Sequence, residues 1–384
     1  MMLRSILRIR VALAVILALD GGVHRPITFG GTVSGPFPST NSILVHAAGS
    51  TDSSDPLTKR PVIGELMAET GFYQSMTLSS DEEQPLYHTR SQYQDISIVR
   101  TEYYGKVLIL DGVVQLTERD ADSYNEMMAH IAMMAVAEPK RVLVVGGGDG
   151  YVLSEVLKHQ SVVSVDHVDL DGEVIETCRK HFPWGKAWED PRVKLHVADG
   201  AKFVADAKDG HYDAIIQDSS DPYTWGDDGN KVELPSNILY SEQHFQHILR
   251  ILRPGGVFNF QAETFNIPSD LEGISEWRNQ ALDVGFSSAR YGSLMISSYP
   301  TGQIGFLLCA KSDNGGDNNR SSTGIAPTLN DVEARFAQMV RRGDRTTYYQ
   351  PKLQFSSFDL PLWVEESVYG TSIVTSVASL EQEL

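Results

Sequence analysis

Two carboxylates stand three residues apart in the run Asp218-Ser219-Ser220-Asp221-Pro222, directly after the apolar stretch Tyr-Asp-Ala-Ile-Ile-Gln at 212–217. That stretch predicts a buried β-strand, because Ile215 and Ile216 lie in a β-favouring run with no polar face. Pro222 closes it. The two acids are therefore thrown out at a strand's C-terminal end, where an open α/β sheet binds its ligands. Two acids in such a crevice suit a cationic substrate, or a group that takes a proton from one. An Asx-type turn capping the next helix would use the same residues, so the elements around the run decide between the two.

Those elements repeat the pattern. Arg141–Val145 predicts a strand, Gly146-Gly-Gly-Asp-Gly150 a tight loop and Val152–His159 a helix, the opening unit of a doubly wound sheet. The glycines let the backbone approach a ligand closely, but their spacing is not that of a dinucleotide fingerprint. A second strand, 162–168, ends at Asp169, about 20 residues past the loop, where an acid holds ribose hydroxyls. A third, Val193–Val197, ends at Asp199-Gly200. A fifth, Gly256–Gln261, follows Leu252-Arg-Pro-Gly, which reads as a helix-to-strand turn. Asp149, Asp169, Asp199 and Asp218 thus mark successive strand tips and converge on one crevice. The pattern is that of an adenosine-binding sheet of the S-adenosylmethionine type, with Asp169 for the ribose and Asp199 for the adenine amino group. An aspartate at 149 repels the carboxylate of a methionine moiety and suits a free ammonium. It favours decarboxylated S-adenosylmethionine, with a loop-capping aspartate as the plainer alternative.

The positioning elements extend to both sides. Residues 93–116 alternate apolar and polar around Gly105 and Gly112, which predicts a small antiparallel β unit. Ser123-Tyr-Asn-Glu126 opens a helix through Met134, with Ser123 as its cap and Glu126 completing a capping box; the methionines belong to its core face. After Ala310 come a Gly/Asn/Ser-rich linker at 312–328, a helix over 329–342 and an aromatic-rich stretch at 348–368 that packs back on the main domain. The chain has 384 residues and a formal net charge of −18. It carries no Lys/Arg-rich block of the kind that binds nucleic acid. Cys178 and Cys309 form neither a metal spacing nor a disulfide framework. Arg4, Arg8 and Arg10 before the apolar run at 11–19 read as a secretory or organelle-entry leader, too short to span a membrane. We therefore exclude roughly the first 60 residues from the fold. We expect a leader and linker over 1–60, a β domain over 61–118, a Rossmann-like catalytic domain over 119–312 and a tail over 313–384.

The chain resembles the spermidine synthase (aminopropyltransferase) family from about Gly71 to Ala310. The resemblance rests on SQYQDI (91–96), YGKVLILDGVVQLTERD (104–120), SYNEM (123–127), VLVVGGGDG (142–150), VADG (197–200), DSSDP (218–222) and SYPTGQIGF (298–306), in that order. It implies transfer of an aminopropyl group from decarboxylated S-adenosylmethionine to putrescine or a related amine. It also implies a small N-terminal β domain before a Rossmann-like α/β domain, and a homodimer or homotetramer. The nucleotide is a co-substrate and no cofactor or metal is implied. Gln94, Asn125, Asp149, Asp169, Asp199 and Gly200 match positions around the nucleotide substrate. Tyr124, Ser219, Ser220, Asp221 and Tyr299 match those around the amine, and Asp218 matches the proton acceptor. Four departures stand out. Asn125 replaces a glutamine, Asp169 a glutamate and Tyr151 a glycine, and residues 223–237 form an insertion after Pro222. A putrescine N-methyltransferase, an aminopropyltransferase for another acceptor (spermine or thermospermine type) and a silent polyamine-binding homologue are the alternatives.

Overall fold

The computed structural model describes residues 61–62, 66–69, 72–75, 78–79, 84–225, 231–313 and 327–370. The leader, the linker after Ser312 and the tip of the 223–237 insertion fall wholly or largely outside these. Four short strands come first: β1 (Pro61–Val62), β2 (Leu66–Glu69), β3 (Phe72–Ser75) and β4 (Leu78–Ser79). β5 (Tyr87–Arg90), β6 (Asp95–Thr101), β7 (Gly105–Leu110) and β8 (Val113–Thr117) then form an antiparallel sheet in sequence order. This is the predicted β unit, with one more strand at its start. Gly105 and Gly112 both have positive φ at its turns.

Helix α1 (Ala121–Ala135) follows, and here the predicted cap is corrected. The helix starts at Ala121, and Ser123 lies inside its first turn, with its Oγ donating to the Asp120 carbonyl at 2.7 Å. Glu126 is no capping-box residue. It is buried and accepts from the backbone N–H groups of Thr347, Tyr348 and Tyr349 at 2.7–2.8 Å. Three main-chain donors satisfy a buried carboxylate, and by doing so they dock the C-terminal segment on α1.

The main sheet has seven strands: β9 (Arg141–Gly146), β10 (Ser164–Asp169), β11 (Val193–Val197), β12 (Tyr212–Asp218), β15 (Leu252–Gln261), β16 (Ser288–Met295) and β17 (Gln303–Ala310). Their spatial order is β11-β10-β9-β12-β15-β17-β16. The first five are parallel, and β17 is antiparallel to both β15 and β16. The order reverses between β9 and β12, so the crevice outside their C-terminal ends is the expected ligand site. The stretch Leu252-Arg-Pro-Gly is not a separate turn. It belongs to β15, with the irregular register against Tyr212 and Ala214 absorbing the proline and glycines.

The helices α2 (Tyr151–Leu157), α3 (Gly172–His181), α4 (Gly200–Asp206), α5 (Glu242–Ile251), α6 (Pro268–Val284), α7 (Leu329–Arg341), α8 (Pro351–Ser356) and α9 (Leu362–Tyr369) divide between the two faces of the sheet. One core holds Met127, Met128, Ile131, Val142, Val144 and Ile216. The other holds Leu143, Val145, Ile215, Phe245, Phe258 and Phe260. Alternate residues of β9 and β12 point to opposite cores, as a parallel sheet covered on both faces requires. Each such side chain stabilises the fold by roughly 1.5–3 kcal/mol. The methionines of α1 are core, as their spacing predicts. In the C-terminal segment, Tyr349 packs in the first core, Val364 and Val368 in the second. Cys178 and Cys309 are buried free thiols.

Candidate active site

The glycine loop lies between two of the strand-tip acids. The Gly147 N–H donates to the Asp218 carbonyl at 2.7 Å. A Cβ on Gly147 would stand 3.1 Å from Asp218 Oδ2, and one on Gly148 would stand 2.8 Å from Asp169 Oδ2. Only glycine lets the backbone pass between the two carboxylates. Asp149 sits at the loop's end, with its Oδ1 accepting the Tyr151 N–H at 2.8 Å. Asp169 Oδ1 likewise accepts the Asp171 N–H at 2.8 Å.

These groups share an electrostatic environment. Burial pushes Asp149 up to about 7, and the charges of Asp218 and Asp169 add to the rise. Burial raises Asp169 to about 6, opposed by its main-chain hydrogen bond. Asp218 is raised to about 6 by burial, opposed by the Tyr124 phenol, whose O–H donates to its Oδ1 at 2.7 Å. Three carboxyls of elevated affinity for protons around one glycine loop suit a bound cation, whose charge would return them to the ionised form.

Asp199 stands apart. It is exposed, and its side chain caps α4 by accepting the Lys202 N–H at 3.1 Å. Gly200 begins α4 close to Val145, where a Cβ would come within 2.8 Å of the valine side chain. The predicted nucleotide-side residue Gln94 reaches the same rim from the N-terminal sheet. Its Nε2 donates to Asp171 Oδ2 at 2.9 Å, and Ser91 Oγ donates to the same oxygen at 2.6 Å. Asp171 thus joins the small β unit to the second strand tip. Asn125 is buried inside α1, with its Nδ2 donating to the Ala121 carbonyl at 2.9 Å and its buried Oδ1 without a partner. The shorter amide, compared with glutamine, turns back on its own helix.

On the other side of Asp218 the DSSDP run continues. Ser219 Oγ donates to the Tyr240 hydroxyl at 3.3 Å, Ser220 is exposed, and Asp221 is partly buried. The insertion forms the hairpin β13 (Tyr223–Trp225) and β14 (Lys231–Glu233), which runs into a 3-10 turn at Pro235–Tyr240. The Tyr223 hydroxyl donates to buried Asp270 at the start of α6, at 2.5 Å.

The sequence reading missed Glu263. It follows the tip of β15, is buried, and has φ +55, a left-handed conformation that a non-glycine residue adopts at a cost of order 1–3 kcal/mol. Its Oε2 accepts the Tyr299 hydroxyl at 2.8 Å, and its Oε1 is buried without a partner. Burial holds the Glu263 carboxyl well above the usual carboxylate range, and the Asp221 and Asp270 charges add to this. Asp221 is raised by burial too. Asp218 and Asp221 owe their rise to the same cause. Burial dominates both, and the neighbouring carboxyls are Asp149 for Asp218 and Glu263 for Asp221. Gln261 and Tyr240 complete this wall, with the Tyr240 hydroxyl donating to Gln261 Oε1 at 2.8 Å. Extending the strand-tip rule two residues beyond β15 reaches Glu263, past Gln261 at the strand's own last position. Among the described residues, no group of three or more His, Cys, Asp or Glu side chains could hold a metal ion.

Two family models match the chain: "Spermine/spermidine synthase domain" over residues 121–319 and "Spermidine synthase tetramerisation domain" over 70–118. Spermidine synthase 2 of Arabidopsis thaliana is 41% identical over 229 residues, which cover 59% of this chain and 64%, just under two thirds, of that protein. Spermidine synthase 1 of Datura stramonium is 37% identical over 287 residues, covering 74% of this chain and 87% of that one. A spermine synthase of Saccharomyces cerevisiae is 37% identical over 289 residues, covering 74% and 88%. Among solved structures, a spermidine synthase in complex with the transition state analogue AdoDATO superposes with a TM-score of 0.64 and 29% identity, over 78% of this chain and 92% of that one. The spermidine synthase from Thermotoga maritima superposes with a TM-score of 0.63 and 28% identity, over 78% and 91%.

Proposed function

This chain belongs to the spermine/spermidine synthase family of aminopropyltransferases, and we propose that it is a spermidine synthase. It transfers the aminopropyl group of decarboxylated S-adenosylmethionine to putrescine, giving spermidine and methylthioadenosine. The observation that carries this reading is the position of Asp218. Its neighbours are the glycine loop with Asp149 on one side and Tyr124 on the other, and the chain continues from it to Asp221 beside Glu263.

On the donor side, Asp149 meets the free ammonium of the aminopropyl arm, Asp169 the ribose and Asp199 the adenine amino group. Gln94, Asn125 and Gly200 line the same substrate. On the acceptor side, Asp221 and Glu263 hold the far ammonium of the diamine. The unpartnered Oε1 of Glu263 is an acceptor suited to it. Ser219 and Ser220 shape the wall, and Tyr124 and Tyr299 orient the attacking nitrogen.

The nucleophile enters as an ammonium with a pKa near 10.4, so freeing its lone pair at neutral pH costs about 4–5 kcal/mol. Asp218, raised to about 6, is a better proton acceptor than an ordinary aspartate. The neutral nitrogen attacks the methylene next to the sulfonium, and the carbon–sulfur bond breaks with its electron pair going to sulfur. The proton leaves the amine for Asp218. Because positive sulfur already activates the leaving group, positioning supplies much of the acceleration. Assembly as a homodimer or homotetramer through the N-terminal β unit is part of this reading, supported by the match over 70–118.

The test is acceptor choice. Decarboxylated S-adenosylmethionine is offered with putrescine, with the five-carbon diamine and with spermidine, and product masses are read. Spermidine from putrescine, with an equal yield of methylthioadenosine, is expected. A preference for spermidine as acceptor would overturn the assignment in favour of spermine-type synthesis, and the absence of any transfer would favour a silent homologue.

A further inference from the structure

One short segment grips the glycine loop from outside the crevice. Pro183–Glu189 forms a 3-10 turn between α3 and β11 and carries Trp184 and Trp188. Trp184 Nε1 donates to the Asp149 carbonyl at 2.8 Å. Trp188 Nε1 donates to His167 Nδ1 at 2.9 Å, and His167 Nε2 donates to the Gly146 carbonyl at 2.8 Å. Because Nδ1 accepts, the imidazole carries its proton on Nε2, and burial holds the ring neutral, with its pKa lowered to about 4. The peptide that receives this bond passes it on, since its own N–H, that of Gly147, donates to the Asp218 carbonyl.

The rings add steric contact. Trp188 fills the place of a side chain at Gly150, where a Cβ would lie 2.3 Å from the indole. Trp184 stacks on Tyr151 at 4.3 Å between centroids and 12° between planes. The Tyr151 N–H is the group that holds the Asp149 carboxylate, and its hydroxyl donates to Asp122. Tyr151, which stands where the family pattern has glycine, is thus one layer of a stack that continues through Trp184 to Phe182, 4.9 Å further on.

We propose that Trp184 and Trp188 are positioning residues for the sulfonium donor. Trp184 fixes the peptide and the carboxylate of Asp149, and Trp188, through His167 and the Gly146–Gly147 peptide, fixes the loop against Asp218. The inference rests on the reading that Asp149 meets the donor's ammonium. A neutral hydrogen bond contributes about 0.5–1.5 kcal/mol, so loss of the Trp184 N–H weakens donor binding by roughly 2- to 12-fold.

The experiment compares Trp184→Phe, Trp188→Phe and a protein carrying 3-benzothienylalanine at 184. The last keeps the ring system and loses only the N–H, and it carries the test if Trp184→Phe fails to fold. KM for decarboxylated S-adenosylmethionine and for putrescine, kcat, and the donor's Kd by calorimetry are measured for each. The expected result at 184 is a several-fold rise in donor KM and Kd with amine KM within twofold. Trp188→Phe is expected to lower kcat severalfold as well. Donor KM within twofold of wild type in the folded variants at 184, or equal shifts in both substrates' KM, overturns the proposal. If wild-type protein does not bind the donor, the underlying reading of Asp149 falls and this inference with it. Donor binding of equal strength in wild type and variants removes only the role of the tryptophans.

Discussion

The two sides of Asp218 hold their carboxyls by different means. On the proposed donor side, main-chain N–H groups do the holding: Tyr151 for Asp149 and Asp171 for Asp169, each from two residues away. On the proposed acceptor side, phenols do it: Tyr124 for Asp218 across 94 residues and Tyr299 for Glu263 across 36. A main-chain donor cannot turn away, so the donor-side acids are set in place before substrate arrives. A hydroxyl can rotate and either donate or accept, so the acceptor-side acids can exchange a phenol for an ammonium. The difference suits a nucleotide bound in one pose and an amine that must approach, lose a proton and leave larger than it came.

The largest expected effect lies where the two sides meet. Asp218→Asn removes the proposed proton acceptor, and kcat should fall by about 10²–10⁴ while calorimetry gives donor affinity within a few-fold of wild type. Turnover near wild type would sink the assignment. The next pair of variants tests the separation itself. Hydrogen bonds to charged groups contribute about 1.5–3 kcal/mol, or roughly 10- to 150-fold. Glu263→Gln should raise KM for putrescine by about that range and leave donor KM alone, and Asp149→Asn should do the reverse. Steady-state kinetics with each substrate varied in turn checks both, and a variant that moves the two KM values together denies the division.

Tyr124→Phe should have the smallest effect, lowering kcat about tenfold or less. It should also move the acid limb of the pH profile. In the proposed mechanism Asp218 works as the carboxylate, so activity should fall as pH drops through its pKa, about 6 in the free protein. The Tyr124 hydrogen bond lowers that pKa, so its loss should shift the limb to higher pH. An unmoved or lower limb in a pH–rate series would place the phenol elsewhere in the mechanism.

The donor side was the more legible in sequence, for the same physical reason. Bonds from residue i+2 and glycines at a strand tip are local, so VLVVGGGDG and the acid after the second strand point directly to the loop and Asp169. The apolar runs of β9 and β12 gave the buried parallel sheet. The N-terminus of α1 was misread because Ser123 and Glu126 fit a capping box locally, whereas Glu126 is claimed by main-chain donors 221–223 residues away. Glu263 escaped because its hydrogen-bond partner Tyr299 and its charged neighbour Asp221 lie on other elements and its backbone is held in a left-handed conformation that no local pattern announces. The pairing of Trp188 with His167 is also a tertiary fact, since nothing in either residue's own neighbourhood specifies it.

The most direct test of the account is donor choice. Wild-type protein is given putrescine together with equal concentrations of S-adenosylmethionine and its decarboxylated form, and the amine product is weighed by mass spectrometry. Asp149 at the end of the glycine loop predicts a product heavier by one aminopropyl group, with methylthioadenosine released in equal amount. A methylated diamine as the main product would contradict it.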